Sequence, residues 1–390
     1  MEILQQLQVD INRYLRDKFK QEAAYFKFQN KLLKGNGDIV AKFANRLEDP
    51  EYGFQDSSND TTQWVVPVQS MKLTSISVTF FINREKAYQQ FIMGVILKGF
   101  PLAGANGKQI CLKCDTEELN LERHTLSDFR ILSIHKVIRN ILMIDGYNVS
   151  DAATQTVRIG RNPFKKSDNS IDILCGPVLT NGLTAAEYIS KRSNDMQLIA
   201  QHKYGIRVKD SQKLKSLVAS LGRSAAIVDM LESKASSPID LRKDKNASSK
   251  GASFILYNYA RLAILFRTFE EKTRSGYYPD SPDLSQVDFS LLSEEDEWQL
   301  FWVYVVGFPN MLKQALGGEQ LAHLSPHLVL NFTSGLVICL SRYYRRVRIL
   351  TENRDHLLPT LFARIGLLKS VFQVLSKLLH LLDLEAIEQM

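Results

Sequence analysis

Apolar residues recur at helical spacing toward both ends of the chain. Ile3, Leu7, Ile11 and Leu15 fall on one face of a predicted opening helix. Near the other end, Leu367, Val371, Val374, Leu375, Leu378 and Leu382 form a longer stripe of the same period, and Phe254, Tyr257, Ala260, Arg261, Ala263, Ile264 and Phe266 predict another long helix ahead of it. Stripes of this kind bury themselves in a bundle, so most of these residues are expected in a core. Between them the period changes. The run Leu73-Thr-Ser-Ile-Ser-Val-Thr-Phe-Phe-Ile82 is rich in β-branched residues with alternating polar positions and predicts a strand. A turn-rich stretch from Asp49 to Thr62 and the segment Trp64-Val-Val-Pro-Val precede it, and a helix is predicted from Asn83 to about Lys98.

The 390 residues are 45% hydrophobic and 23% charged, enough to bury substantial cores in about two or three domains. We divide the sequence into an N-terminal α/β domain at 1–110, a middle domain at 111–231, a polar, lysine-rich junction at 232–250 and a helical domain at 251–390. No run of about eighteen apolar residues is present. The most apolar stretches, Phe91 to Ala105 and Leu328 to Leu340, are interrupted by Lys98, Asn331, Thr333 and Ser334. The segment Met1 to Lys20 is charged and lacks the apolar centre of a signal peptide. Four scattered cysteines, Cys111, Cys114, Cys175 and Cys339, fit a reducing compartment. The expectation is a soluble cytoplasmic protein without membrane contact.

Lys and Arg number 49 against 42 Asp and Glu, a formal charge of +7, so the distribution of charge matters more than its total. One basic cluster holds Lys203, Arg207, Lys209, Lys213, Lys215 and Arg223 with the single acid Asp210; a second holds Arg158, Arg161, Lys165 and Lys166. In the third, Arg342, Arg345, Arg346 and Arg348 are interleaved with Tyr343 and Tyr344. That mixture suits RNA, because cations attract phosphates while unpaired bases stack on aromatic or guanidinium planes. It equally describes a solvated helix face with its tyrosines turned inward.

Few residues suggest chemistry. Cys111-Leu-Lys-Cys114 has the spacing of half a zinc site, but no second Cys pair or spaced His pair completes it, and reduced structural thiols are expected. Gly35-Asn-Gly37 and Gly104-Ala-Asn-Gly107-Lys108 complete neither a dinucleotide fingerprint nor a phosphate-binding loop and predict turns. No G-x-S-x-G elbow is present. No catalytic residue, cofactor or metal is assigned.

Three ordered blocks carry a resemblance. Gly251-Ala-Ser-Phe-Ile-Leu-Tyr-Asn-Tyr-Ala-Arg261 looks like a Tyr-x-Tyr-Ala-Arg helix, and Ser341-Arg-Tyr-Tyr-Arg-Arg-Val-Arg-Ile-Leu350 is similar to Phe-x-x-Tyr-x-x-x-x-Val-Leu. Ala363-Arg-Ile-Gly-Leu-Leu-Lys-Ser-Val-Phe-Gln-Val-Leu375, followed by Leu378, Leu381, Leu382 and Met390, is the third. Together they resemble the helical anticodon-binding domain of class I arginyl-tRNA synthetases. Upstream, Val78-Thr-Phe-Phe-Ile-Asn-Arg-Glu-Lys-Ala-Tyr88 looks like the N-terminal domain of that family, and Leu126 to Val149 looks like the helix that follows its ATP-binding loop. The resemblance implies an α/β N-terminal and middle region, degenerate class I synthetase-like and Rossmann-type, followed by an all-α anticodon-binding helical bundle. The family's His-x-Gly-His element is not found in Leu121-Glu-Arg-His-Thr-Leu-Ser-Asp128, where His124 stands alone, nor is a Lys-Met-Ser-Lys-Ser-like loop found between Asp195 and Lys250. The aminoacylation site is therefore expected to be lost.

Leu174-Cys-Gly-Pro-Val178, Thr184-Ala-Ala-Glu-Tyr188 and Val287-Asp-Phe-Ser-Leu-Leu292 leading into Glu297-Trp298 resemble, more narrowly, the DALR anticodon-binding domain-containing proteins. That resemblance implies a noncatalytic protein that recognises arginine tRNAs and delivers them to a methyltransferase-like enzyme, which installs 3-methylcytidine in the anticodon loop. The residues it assigns to the anticodon arm are Tyr257, Arg261, Arg267, Arg342, Tyr343, Arg345, Arg346 and Arg348. Arg261 has a second reading, as a brace through carbonyls or Asp288. Two other functions stay open: a divergent arginyl-tRNA synthetase using ATP, arginine and Mg2+, and an interaction scaffold without tRNA selectivity.

Overall fold

The computed structural model describes residues 2–28, 37–47, 53–56, 61–99, 107–116, 120, 122–165, 169–204, 211–242, 251–318, 321 and 323–387. Gly35, Gly104, Arg207, Lys209, Lys166, Lys243, Lys245, Lys250 and Met390 lie outside the described residues. The elements run α1 (Glu2–Phe19), β1 (Ala23–Phe28), β2 (Ile39–Phe43), β3 (Gly53–Asp56), β4 (Val68–Leu73), β5 (Ser77–Ile82), α2 (Arg84–Lys98), β6 (Gln109–Cys114), α3 (Leu126–Ile144), β7 (Asn148–Val149), β8 (Thr156–Gly160), β9 (Ser170–Leu174) and β10 (Val178–Leu179). They continue as α4 (Ala185–Tyr204), α5 (Ser211–Leu231), β11 (Ile239–Asp240), α6 (Ala252–Arg274), α7 (Glu295–Gln299), a π-helical stretch Leu300–Val306, α8 (Phe308–Leu316), α9 (His327–Arg346) and α10 (Leu358–Leu381). From α6 onward the named elements are all helical.

Two compact units divide the chain. The first takes Met1–Pro101, Phe269–Phe308 and Arg342–Gln373; the second takes Leu102–Thr268, Pro309–Ser341 and Val374–Met390.

In the first unit an antiparallel sheet of order β1-β2-β5-β4-β3 has one apolar face. Ile39, Ala41, Phe43, Met71, Leu73, Val78, Phe80 and Ile82 are buried at every second position, as a half-covered sheet requires. The predicted face of α1 is buried too, with Leu7, Ile11 and Leu15 at 0% exposure. The single strand predicted over Leu73–Ile82 is instead the join of two, β4 and β5. Thr74 supplies the turn by accepting the Ser77 N–H through its hydroxyl at 3.1 Å, while its own N–H reaches the Ser77 carbonyl at 2.9 Å. A β-branched run conceals a turn when a threonine side chain makes it. The helix predicted after it starts where expected, with Asn83 as N-cap accepting the Lys86 N–H at 3.2 Å.

The second unit is built on a parallel sheet of order β7-β6-β8-β9, with α3 making the crossover from β6 to β7. Arg130 of α3 is 0% exposed. Its guanidinium donates to the carbonyls of Gly176 (2.8 Å), Ser237 (2.6 Å), Lys234 (2.9 Å) and Met230 (3.3 Å) and to the Ser233 hydroxyl (3.1 Å). Buried charge is tolerated where every donor finds an acceptor. These bonds fix the described start of the junction against α3, and β11 within it pairs in parallel with β10. Gly176 has to be glycine, since an added Cβ would lie 2.6 Å from Ser237 backbone atoms.

The stripe on α10 is buried as predicted: Leu367, Val371, Val374, Leu375, Leu378 and Leu382 are all 0% exposed. Among the described helices α10 alone is long and apolar enough to cross a membrane, and these buried residues account for its apolar character.

Candidate nucleic-acid interface

The short helix α7 organises the third basic cluster. Its residues Asp296 and Glu297 are buried, at 7% and 0% exposure, and such carboxylates need partners. Glu297 accepts the Glu294 N–H at 3.0 Å, closing a capping box at the start of α7. Its other oxygen accepts the Tyr343 hydroxyl and the Arg364 Nε, each at 2.9 Å. Asp296 receives Arg342 at 2.8 Å and Arg346 at 3.0 Å. Two adjacent acids thus hold the last turn of α9 and the start of α10.

The flanking residues of α7 are engaged as well. Glu295 pairs with Arg84 at 2.9 Å, and the Arg84 guanidinium lies 4.8 Å from the centre of the Trp298 ring. Trp298 stacks on Trp302 with centroids 5.3 Å apart and donates its indole N–H to Asp38 at 2.9 Å. Asp38 also accepts the Ile82 N–H at 2.8 Å. Burial pushes the Asp38 carboxyl above its usual range despite those two bonds.

The predicted cations of this cluster therefore differ in role. Arg345 and Arg348 are exposed. Arg342 and Arg346 are tied to Asp296 yet keep 42% and 63% of their side chains in solvent. Tyr343 is a correction: placed by sequence at the anticodon arm, it is 0% exposed and bonded to Glu297, so no base can stack on it. Burial and the Glu297 charge push its phenol far above the ordinary range. The other three residues, Tyr257, Arg261 and Arg267, lie on α6 in the second unit, each half-buried. Asp288, named as a brace for Arg261, accepts the N–H and hydroxyl of Ser290 at 3.0 and 2.6 Å. Sequence reading missed Asp296, Arg364 and Asp38. The run Glu294-Glu-Asp-Glu-Trp298 was the available signal, an acidic counterpart to the arginine run that follows it.

The parallel sheet has a second feature of interest. The chain leaves β6 for β7 on one side and returns to β8 on the other, and in open parallel sheets ligands bind outside the carboxyl ends of the strands at such a reversal. Here side chains bridge that crevice. Asp115 accepts the Arg161 N–H at 2.9 Å, and the Arg161 guanidinium pairs with Asp128 at 3.1 Å. Asp128 also accepts the Thr125 N–H and hydroxyl, at 3.0 and 2.6 Å, and so caps the first turn of α3, the place where a phosphate would sit. Burial raises the Asp128 carboxyl, but the Thr125 bonds and the charges of Arg161 and His124 outweigh it and hold it below its usual range. Gly160 admits the closure, since a Cβ there would lie 2.4 Å from the Asp115 carboxylate. Cys111 and Cys114 sit three positions apart on β6, hence on opposite faces of the sheet, which suits separate thiols better than shared zinc ligands. Among the described residues no group of three metal-ligating side chains forms.

Residues 255–390 match the model of the DALR anticodon binding domain. The last third of the chain is similar to the DALR anticodon binding domain. A Danio rerio protein named DALR anticodon-binding domain-containing protein 3 is 32% identical over 231 residues, 56% of this chain and 41% of that protein. The Mus musculus protein of the same name is 33% identical over 223 residues, 54% of this chain and again 41% of the relative. The matched stretch thus spans about two fifths of these curated relatives. The arginine–tRNA ligase of Borrelia garinii is 26% identical over 178 residues, 45% of this chain and 27% of the ligase. In structure, Thermus thermophilus arginyl-tRNA synthetase superposes with a TM-score of 0.69 at 10% identity, over 98% of this chain and 99% of that one. The Plasmodium falciparum enzyme gives 0.65 at 8% identity over 99% of each. The chain therefore has the fold of arginyl-tRNA synthetases, α/β in its first two thirds and helical in its last, and part of its sequence is similar to DALR proteins and to arginine–tRNA ligases.

Proposed function

We propose that this DALR-domain chain is a noncatalytic tRNA-binding protein of the cytosol. It recognises arginine tRNAs through its C-terminal helices and presents them to a methyltransferase that forms 3-methylcytidine in the anticodon loop. The observation that carries the RNA-binding part is the cationic end of α9, where Arg345 and Arg348 are exposed and Arg342 and Arg346 remain partly so within an anticodon-binding domain. Guanidinium groups kept at the surface are the side chains that phosphate binding uses. The choice of arginine tRNA rests on likeness to arginine–tRNA ligases, and the methyltransferase on resemblance to DALR anticodon-binding domain-containing proteins.

A noncatalytic role is supported by the bridged crevice. Asp115 and Asp128 would repel the phosphates of ATP at the position where the fold ordinarily receives them. Purified protein given ATP, arginine, Mg2+ and total tRNA is expected to form no arginyl-tRNA; sustained ATP-dependent charging would replace this reading with that of a divergent synthetase. The delivery role is tested by recovering the tagged protein from cytosol, then sequencing the bound small RNA and identifying co-purifying proteins by mass spectrometry. Enrichment of a few arginine tRNAs with a methyltransferase is the expected result. Unselected RNA without one would favour the scaffold.

A further inference from the structure

The parallel sheet of the second unit is uneven along one edge. Among the described strands only β7 lies on that side of β6, and it pairs with no more than Gln109 and Ile110. Beyond it, between the end of β6, one face of α3, α5 and the residues after α10, is a cavity of about 570 Å³, within the usual range for a small-molecule site. Phe129 and Leu132 give it an apolar floor. Lys136, Arg139 and Arg223 line it against a single carboxylate, Asp383.

That carboxylate is held with care. It bridges Lys136 at 2.8 Å and Arg223 at 3.0 Å. Asp383 has φ 57°, in the left-handed region where a helix usually ends on glycine. The closing bonds, Asp383 N–H to the His380 carbonyl and Leu384 N–H to the Leu379 carbonyl, would form with glycine as well. Aspartate adopts this conformation more readily than most side chains, and unlike glycine it sets a carboxylate between two cations.

We propose that this cavity binds a nucleoside monophosphate unit. Lys136, Arg139 and Arg223 take the phosphate, Asp383 accepts from the ribose hydroxyls, and the base lies against the half-buried Leu132, with the buried Phe129 beneath it. The unit can come as a free nucleotide or as an unpaired nucleotide of an RNA strand. The site shares no residue with the arginines at the end of α9, so it stands or falls independently of the anticodon-arm assignment.

The chain carries its own reporter. Cys114 lines the cavity and is half-buried, whereas Cys111, Cys175 and Cys339 are 1%, 5% and 2% exposed, so iodoacetamide should reach Cys114 first. The full chain is dialysed against radiolabelled AMP and against a short single-stranded oligoadenylate, and Cys114 alkylation is timed with each. Saturable retention of AMP, slowed alkylation, and an affinity weaker by about tenfold or more in Arg139→Glu are expected, since the change removes a charge-assisted hydrogen bond and sets a carboxylate against the phosphate. AMP should bind more tightly than 2′-deoxy-AMP, and Asp383→Asn should remove that preference. Oligoadenylate much tighter than AMP identifies an RNA strand as the source; equal or weaker binding identifies the free nucleotide. In Arg345→Ala/Arg346→Ala, AMP retention should not change, which separates this site from the other. No saturable retention of either probe overturns the proposal, as does retention that leaves Cys114 alkylation and Arg139→Glu unaffected.

Discussion

Glu297 shows how one buried residue decides what its neighbours can do. Its carboxylate is fully enclosed and satisfied by Tyr343, Arg364 and the Glu294 N–H, so Tyr343 is spent on the fold. Tyr343→Phe should cost about 1–2 kcal/mol, one hydrogen bond to a charged group, and leave the tRNA affinity of the folded protein unchanged; denaturant titration and a binding isotherm on the same preparation check both. Arg364→Met is the harsher change, because it leaves a buried carboxylate without its cation, and a loss of about 3 kcal/mol or more is expected in the same titration. Asp38 gives a pH signature. Its folded carboxyl is raised above the unfolded value, so the native state holds a proton that the unfolded chain has released. Its contribution is therefore fully present below the unfolded carboxyl pKa and lost as pH rises through the folded one. Wild type should be most stable relative to Asp38→Asn at acid pH, with the difference shrinking across that window. A pH series of urea midpoints in which the difference grows with pH would contradict the assignment.

At the level of elements, α3 carries the strongest structural commitment. Arg130 ties the β9–β10 connection, the end of α5 and residues 233–237 to it through five acceptors. Arg130→Met should leave several buried carbonyls unpaired and cost at least about 3 kcal/mol, with hydrogen exchange rising first at β10 and β11. The legibility of elements followed their periodicity. The stripe of α10 and the face of α1 were plain because long repeats at 3.6 residues outweigh local noise. The turn between β4 and β5 was not, since Thr74 and Ser77 build it from residue types that also favour strands. Arg130 could not have been read as a hub, because all but one of its acceptors are backbone carbonyls, which lie 46 to 107 residues further along and leave no mark in a sequence.

For the whole molecule, the proposed RNA interface has a consequence for salt dependence. Removing one cation that neutralises a phosphate lowers the slope of log affinity against log salt by roughly 0.7–0.9, so Arg345→Ala/Arg346→Ala should weaken tRNA binding and flatten its slope by about 1–2. Binding across a range of potassium chloride concentrations gives both numbers, and an unchanged slope would remove the assignment. The sequence by itself determined the buried face of α1, the buried stripe of α10 and the presence of an arginine run within the segment that matches the DALR model. Those properties are carried by periodicity and by ordered local motifs. Only the tertiary structure decided that Tyr343 is buried while the arginines of that run keep much of their surface in solvent, because Glu297 encloses Tyr343 and Asp296, some fifty residues away, pairs with Arg342 and Arg346. It also decided that the crevice of the parallel sheet is bridged by Asp115, Asp128 and Arg161, since strand order brings together carboxylates and a guanidinium that the chain keeps apart.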